Sequence, residues 1–198
     1  MPPGGASRNG TGNHVNTKVP LPELAGRLER FRARMDATQP RWELAAFLGK
    51  VNQYYLTGTM QDGLLLVPRD GDAVFWVRRS YERAGDESLF PDIRPMKGFR
   101  DAALATAPAA SRQVIHLETE SVPFALVQRF RKHFPCTEVA SLDPQIAWTR
   151  AVKSPYELAL MEQAGAIHRR ILEDVAPALL REGMSEADFA CDLYSLMV

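Results

Sequence analysis

Residues 63–78 read Gly-Leu-Leu-Leu-Val-Pro-Arg-Asp-Gly-Asp-Ala-Val-Phe-Trp-Val-Arg. Two apolar runs, 63–67 and 73–78, flank a five-residue polar turn centred on Asp70-Gly71. Strand-forming residues on either side of an Asp-Gly turn predict an antiparallel hairpin. Working outward, residues 42–48 and 54–56 read as two further strands upstream. Downstream, a short helix around 79–84 and a polar connection lead to Ile93-Arg94-Pro95-Met96. An Ala-rich helix over 98–106 follows, then a strand over 114–117. Phe124, Val127, Phe130 and Phe134 recur at spacings of three or four, which predicts a helix over 123–134. A strand over 137–141 comes next. Alternating helices and strands imply an α/β layered domain with a mixed sheet.

Ahead of this core, Leu24, Leu28, Phe31 and Met35 make one apolar stripe, with Arg27, Arg30, Arg32 and Arg34 on the remaining faces. The pattern predicts an amphipathic surface helix that ends before Pro40. Residues 1–17 are mostly Gly, Pro, Ser, Asn and Thr and are expected to form a flexible tail that includes His14. After residue 150 the strand pattern stops. Ser154-Pro155-Tyr156-Glu157 has a capping Ser, Pro at the first helical position and Glu three residues after the Ser, and so specifies a helix start. Pro177 is expected to kink or interrupt that helix. Gly183 suits its end, and Ser185-Glu186-Ala187-Asp188 starts another. Two amphipathic helices cannot bury their stripes alone. Residues 151–198 therefore open a further domain or pack back as an appendage. The expected boundaries are a tail over 1–17, an α/β domain over 18–150 and a helical segment over 151–198.

Composition narrows the function classes. The 198 residues hold 24 Lys+Arg against 24 Asp+Glu, which argues against nucleic-acid or membrane-surface binding by general electrostatics. Cys136 and Cys191 show no metal or disulfide spacing, so both are expected to be reduced, mostly buried thiols of a cytoplasmic chain. The N-terminus has no secretory apolar stretch, and no apolar run approaches the ~20 residues of a membrane span. Phosphate-loop, dinucleotide, zinc-helix and serine-hydrolase motifs are absent from the sequence. His116 is expected to face outward from its strand, and His168 to pack beside an apolar stripe. Glu118 and Glu120 sit together at a strand end, as a charged loop edge or a cation site. Arg78 and Arg79 either hold an anion or carboxylate through guanidinium forks or form part of a solvated face.

Several segments together resemble the creatinase and aminopeptidase P (Xaa-Pro peptidase) family. Asn52-Gln53-Tyr54-Tyr55-Leu56-Thr57-Gly58 is the most specific, with Asn52, Tyr55, Leu56, Thr57 and Gly58 as its motif positions. Arg150-Ala151-Val152-Lys153-Ser154-Pro155-Tyr156-Glu157 is similar to the family's passage into its catalytic domain, carried here by Lys153, Ser154, Pro155 and Glu157. Gly183-Met184-Ser185-Glu186 resembles the next family element. The resemblance implies a creatinase-type N-terminal domain with a ribonuclease H-like three-layer fold, a mixed sheet with flanking helices. It also implies two helices of an incomplete pita-bread domain after residue 151.

Family peptidases hold two divalent metal ions (Mn, Co or Zn) through two Asp, one His and two Glu. By the resemblance those positions fall after Val198, and Asp174, Asp188 and Asp192 do not match them. No catalytic or metal residue and no cofactor is therefore expected in this chain. The implied role is that of a non-catalytic domain that helps form a homodimer and shapes the substrate entrance. Its parent would hydrolyse the bond before proline in proline-containing peptides. Trp76, Arg78 and Arg79 are the candidate entrance residues by their chemistry, and the 52–58 motif is expected to serve packing and turn geometry, Gly58 in particular. Three alternatives stand: a module docking on a separate catalytic chain, the N-terminal part of a creatinase-like C–N hydrolase, and an independent hydrolase with an unrecognised site.

Overall fold

A computed structural model describes residues 18–106 and 112–197. The tail expected over 1–17, with His14, and Val198 lie outside the described residues. The chain divides into two compact units, one ending at Thr149 and the other beginning at Arg150.

The first unit is built on a mixed sheet of six strands among the described residues, ordered β4-β3-β2-β1-β5-β6. These are β1 (Leu44–Phe47), β2 (Gly63–Pro68), β3 (Val74–Val77), β4 (Ile93–Pro95), β5 (Arg112–Leu117) and β6 (Cys136–Ser141). β2 and β3 form the expected hairpin, antiparallel with Leu65 opposite Phe75. β1 pairs antiparallel with β2 and parallel with β5, and β6 runs parallel beside β5. β1 is central, so all four of its residues are buried, and two of them are Ala, which lets helices approach both faces.

Side chains alternate across the sheet. Leu44, Ala46, Leu64, Leu66, Ile115 and Leu117 share one face, where they join Ala102 and Phe130 in a core. Those two residues belong to α4 (Phe99–Ala105) and α5 (Phe124–Arg131). On the opposite face Phe47 meets Phe31 edge to face at 5.1 Å. Phe31 lies on α1 (Leu21–Thr38), so the domain has helix, sheet and helix layers.

Within α1, Leu24, Phe31 and Met35 are buried as expected. Arg27 is not on a solvated face: it is buried, donating from Nε to Glu23 at 2.7 Å and from Nη1 to Tyr55 O at 2.8 Å. Its guanidinium also stacks 4.5 Å above the Tyr55 ring, so charge and plane are both satisfied.

Residues 54–56, expected as a strand, belong instead to a helix, α2 (Lys50–Thr57). A short apolar run does not by itself distinguish a buried helix face from a strand. α3 (Tyr81–Glu87) begins two residues later than expected, and Ile93–Pro95 forms a short strand beside β3. α6 (Asp143–Ala151) was not anticipated, although Asp143-Pro144 is a helix-start pair.

In the second unit, α7 (Pro155–Arg170) starts at the expected box: Glu157 N donates to Ser154 Oγ at 3.1 Å, and Ser154 N donates to Glu157 Oε2 at 2.8 Å. Ahead of Pro177 the α-helical pattern is interrupted, as expected, though the chain stays helical. A π-helical segment, Ile171–Val175, precedes α8 (Ala176–Leu179). Widening the helix accommodates a residue that has no N–H and whose ring crowds the preceding turn. α9 (Glu186–Met197) begins where Asp188 N donates to Ser185 Oγ at 3.1 Å.

Gly63 tests the sheet. A Cβ there would lie 2.3 Å from Trp76 O, a backbone atom fixed in the hairpin. Gly63→Ala is expected to lower stability by about 1–3 kcal/mol in urea denaturation.

Candidate functional site

Three parallel strands, β1, β5 and β6, end on the same side of the sheet, and the polar residues there are held tightly. Glu118 directly follows β5 and is 1% exposed. Its Oε2 accepts Leu48 N and Gly49 N, each at 2.6 Å, and its Oε1 accepts Asn52 Nδ2 at 2.6 Å. A Cβ at Gly49 would meet this carboxylate at 2.7 Å, so the turn between β1 and α2 is shaped around it. Burial pushes the Glu118 carboxyl above its usual range against the pull of these donors, and the charge of Asp143 adds to the rise.

Asp143, half-buried, is engaged through one oxygen, Oδ2. It accepts Thr119 N at 2.7 Å, Thr119 Oγ1 at 3.0 Å, Glu120 N at 3.2 Å and Ser141 Oγ at 2.7 Å. Glu118 is thus neither a loop-edge charge nor a free ligand, while Glu120 is exposed. Among the described residues, no three His, Cys, Asp or Glu side chains converge to hold a metal ion. The described residues alone do not supply the ligand set of the metal pair that the resemblance implies.

His116 corrects its expected position. It is 2% exposed, on a strand between β1 and β6 with Ala45 and Ala140 as its register neighbours. Among the described residues neither ring nitrogen has a hydrogen-bond partner. Burial pushes its pKa below the ordinary value, and Glu138 on β6 offsets part of that shift.

A cleft of about 560 Å³ opens on the same edge. Leu48, Met96, Phe99 and Leu126 supply its apolar surface. Arg78 lines it and donates to Asp62 Oδ2 from Nε at 3.0 Å and from Nη2 at 2.5 Å. Trp76 does not line it: that residue is buried in the sheet core, with Arg94 stacked 5.4 Å from its ring. Arg79 is exposed on the turn before α3. Lys97, Arg129 and Lys132, which the sequence did not single out, also line the cleft. They come from two helix ends that approach only in the folded chain.

The motif residues occupy structural positions. Gln53, beside Asn52, is fully buried and donates to Phe47 O at 3.0 Å and Gly63 O at 2.7 Å, joining β1 to β2. Tyr55 lies under Arg27, Leu56 is buried, and Thr57 Oγ1 donates to Gln53 O at 2.7 Å. Gly58 ends α2 at φ +79, a conformation that glycine adopts without a Cβ penalty. In the second unit Lys153 Nζ donates to Arg150 O at 2.6 Å and Ala151 O at 3.2 Å, capping the end of α6. Pro155 opens α7 between Ser154 and Glu157. Cys136 and Cys191 are both free, and Cys191 is exposed rather than buried.

Residues 27–152 match the Creatinase/Prolidase N-terminal domain family. The chain belongs to that family. It is 26% identical to the "Uncharacterized hydrolase/peptidase y4tM" of Sinorhizobium fredii, over 87% of this chain and 49% of that relative. The chain spans about half the length of the curated relatives it matches. Its fold is similar to that of the prolidase from Pyrococcus horikoshii OT3, with a TM-score of 0.72 and 22% identity over 87% of this chain and 48% of that one. It also resembles the Creatinase/Prolidase N-terminal domain of an X-Pro dipeptidase from Streptococcus pyogenes, with a TM-score of 0.51 and 22% identity over 62% of this chain and 97% of that one. Among the described residues no helix is long and apolar enough to cross a membrane.

Two outcomes follow for this creatinase-type domain. Glu118→Ala removes one acceptor from three donors and is expected to cost about 2–4 kcal/mol in urea denaturation. His116 is held neutral by burial, so the unfolded chain binds its proton more readily. Its contribution to stability is full above the unfolded pKa of about 6.5 and is lost as pH falls below it. Glu118 acts with the opposite sign at lower pH, where its raised pKa favours the folded, protonated form. The urea midpoint should therefore fall between pH 7.5 and 5.5, and His116→Leu should flatten that slope.

Proposed function

We propose that residues 18–150 are the non-catalytic N-terminal domain of a cytoplasmic Xaa-Pro-peptidase-like hydrolase and that residues 151–198 open its pita-bread catalytic domain. The family match over residues 27–152 carries this reading. In the assembled enzyme the domain contributes to a homodimer and shapes the substrate entrance, with Arg78 and Arg79 as its polar contacts and Trp76 stiffening the sheet behind them. The parent hydrolyses the peptide bond before proline, using a metal pair held by residues outside this chain.

Two features support the division of labour. Glu118 is buried and accepts three N–H donors across its two oxygens, and Asp143 accepts N–H and O–H donors at Oδ2. A buried carboxylate committed to three donors, as Glu118 is, makes a poor general base and a poor metal ligand. In the second unit α7 has no buried residue, and Leu158, Met161, Ile167 and Leu172 are all exposed. Apolar side chains exposed in this number along one helical segment are usually covered in a stable enzyme. The same surface also suits a module that docks on a separate catalytic chain, which is the second reading.

The reading frame beyond codon 198 separates the two. A frame that continues with two Asp, one His and two Glu in family order is expected, and a stop codon would favour the docking module. Independently, the 198-residue chain should release no proline from a Xaa-Pro dipeptide with or without Mn²⁺. Turnover that disappears in Glu118→Ala or Asp143→Ala, in protein still folded by circular dichroism, would overturn the non-catalytic assignment.

A further inference from the structure

The cleft on the sheet edge combines two features that structural packing alone does not require. Its wall is apolar and comes from four separate segments: Leu48 after β1, Met96 after β4, Phe99 on α4 and Leu126 on α5. Its volume, about 560 Å³, falls within the range of small-molecule pockets. Around this wall stand Arg78, Lys97, Arg129 and Lys132, with Asp62 as the opposing carboxylate.

Asp62 does not neutralise that rim, because the Arg78 guanidinium already takes it through two N–H donors. Among the described residues no carboxylate lies within ion-pair reach of Lys97, Arg129 or Lys132. Arg129 and Lys132 have a local reason for their place, since cations are favoured at the C-terminal end of a helix such as α5. Lys97 has none. It precedes α4, at the helix end where negative charge is favoured, and the nearby Asp101 carboxylate faces backbone, accepting Lys97 N at 2.6 Å and Gly98 N at 3.3 Å. Three cations from two helix ends, gathered over a low-dielectric wall, create a positive potential that a bound anion would relieve.

We propose that this cleft binds a small organic carboxylate carrying an apolar body. The carboxylate would sit among Lys97, Arg129 and Lys132, and the apolar body against Met96, Phe99 and Leu126. An inorganic anion meets only the cations, and a neutral aromatic meets only the wall, so neither uses the whole site. The inference does not depend on the chain's belonging to a peptidase, because it rests on the cleft alone.

The test is an NMR titration of the ¹⁵N-labelled full chain with phenylacetate, with phenylacetamide and inorganic phosphate as controls. Saturable shifts confined to residues around 96–99 and 126–133 are expected with phenylacetate. Binding should weaken about fivefold in Lys132→Ala or Arg129→Ala, whose exposed side chains leave the fold intact, and weaken again in high salt as charge screening predicts. Arg41→Ala, far along the sequence and outside the cleft lining, should bind like the parent chain. Leu126→Asp should abolish binding if the spectrum remains dispersed, and Phe99→Leu serves as the milder wall variant if it does not. No saturable shift at tens of millimolar phenylacetate would overturn the proposal. So would equal binding of phenylacetamide, equal binding of phosphate, or insensitivity to both cation substitutions.

Discussion

The Glu118 carboxylate holds the end of β5 to the turn between β1 and α2 through Leu48 N, Gly49 N and Asn52 Nδ2. Much of the first unit depends on that attachment. It fixes where the central strand ends, it receives the backbone N–H groups ahead of a helix whose start carries no side-chain cap, and it orients α2 over the sheet. Gln53, one residue after Asn52, then reaches Phe47 O and Gly63 O and so ties the start of the hairpin to the same point. A buried acid is costly in isolation and is tolerated here because three donors converge on it.

This arrangement gives the family motif a physical meaning. Asn52, Tyr55, Leu56 and Thr57 are engaged by the fold itself, and Gly58 borders a shallow cleft with Tyr54 and Thr59. They make α2 a rigid connector: Asn52 binds the acid, Tyr55 receives Arg27, Leu56 fills the core, and Gly58 turns the chain out at positive φ. Chemistry that involves a ligand is left to the opposite side of the same edge, where helix ends bring cations over an apolar wall.

Legibility followed the range of the interactions. The hairpin was readable because its turn, Asp70-Gly71, and both strands lie within sixteen residues. The start of α7 was readable because Ser154 and Glu157 cap each other locally. Residues 54–56 read as a strand in sequence because Gly49 carries no capping side chain, and the group that replaces one is Glu118, 66 residues beyond Asn52. His116 was placed on the surface because strand alternation shows which residues share a face. It does not show whether a helix covers that face.

The sequence by itself determined the alternation of helices and strands, the hairpin, the capping of the last helices and, through residues 52–58 and 150–157, the family. Each of these rests on residues near one another in the chain, where side-chain shape and local hydrogen bonding suffice. Tertiary structure alone decided that Glu118 is a buried staple, that Arg27 and His116 lie inside, and that Lys97, Arg129 and Lys132 meet around one cleft. Those outcomes depend on strand order and on the two helical layers closing over the sheet, which no short stretch of sequence specifies.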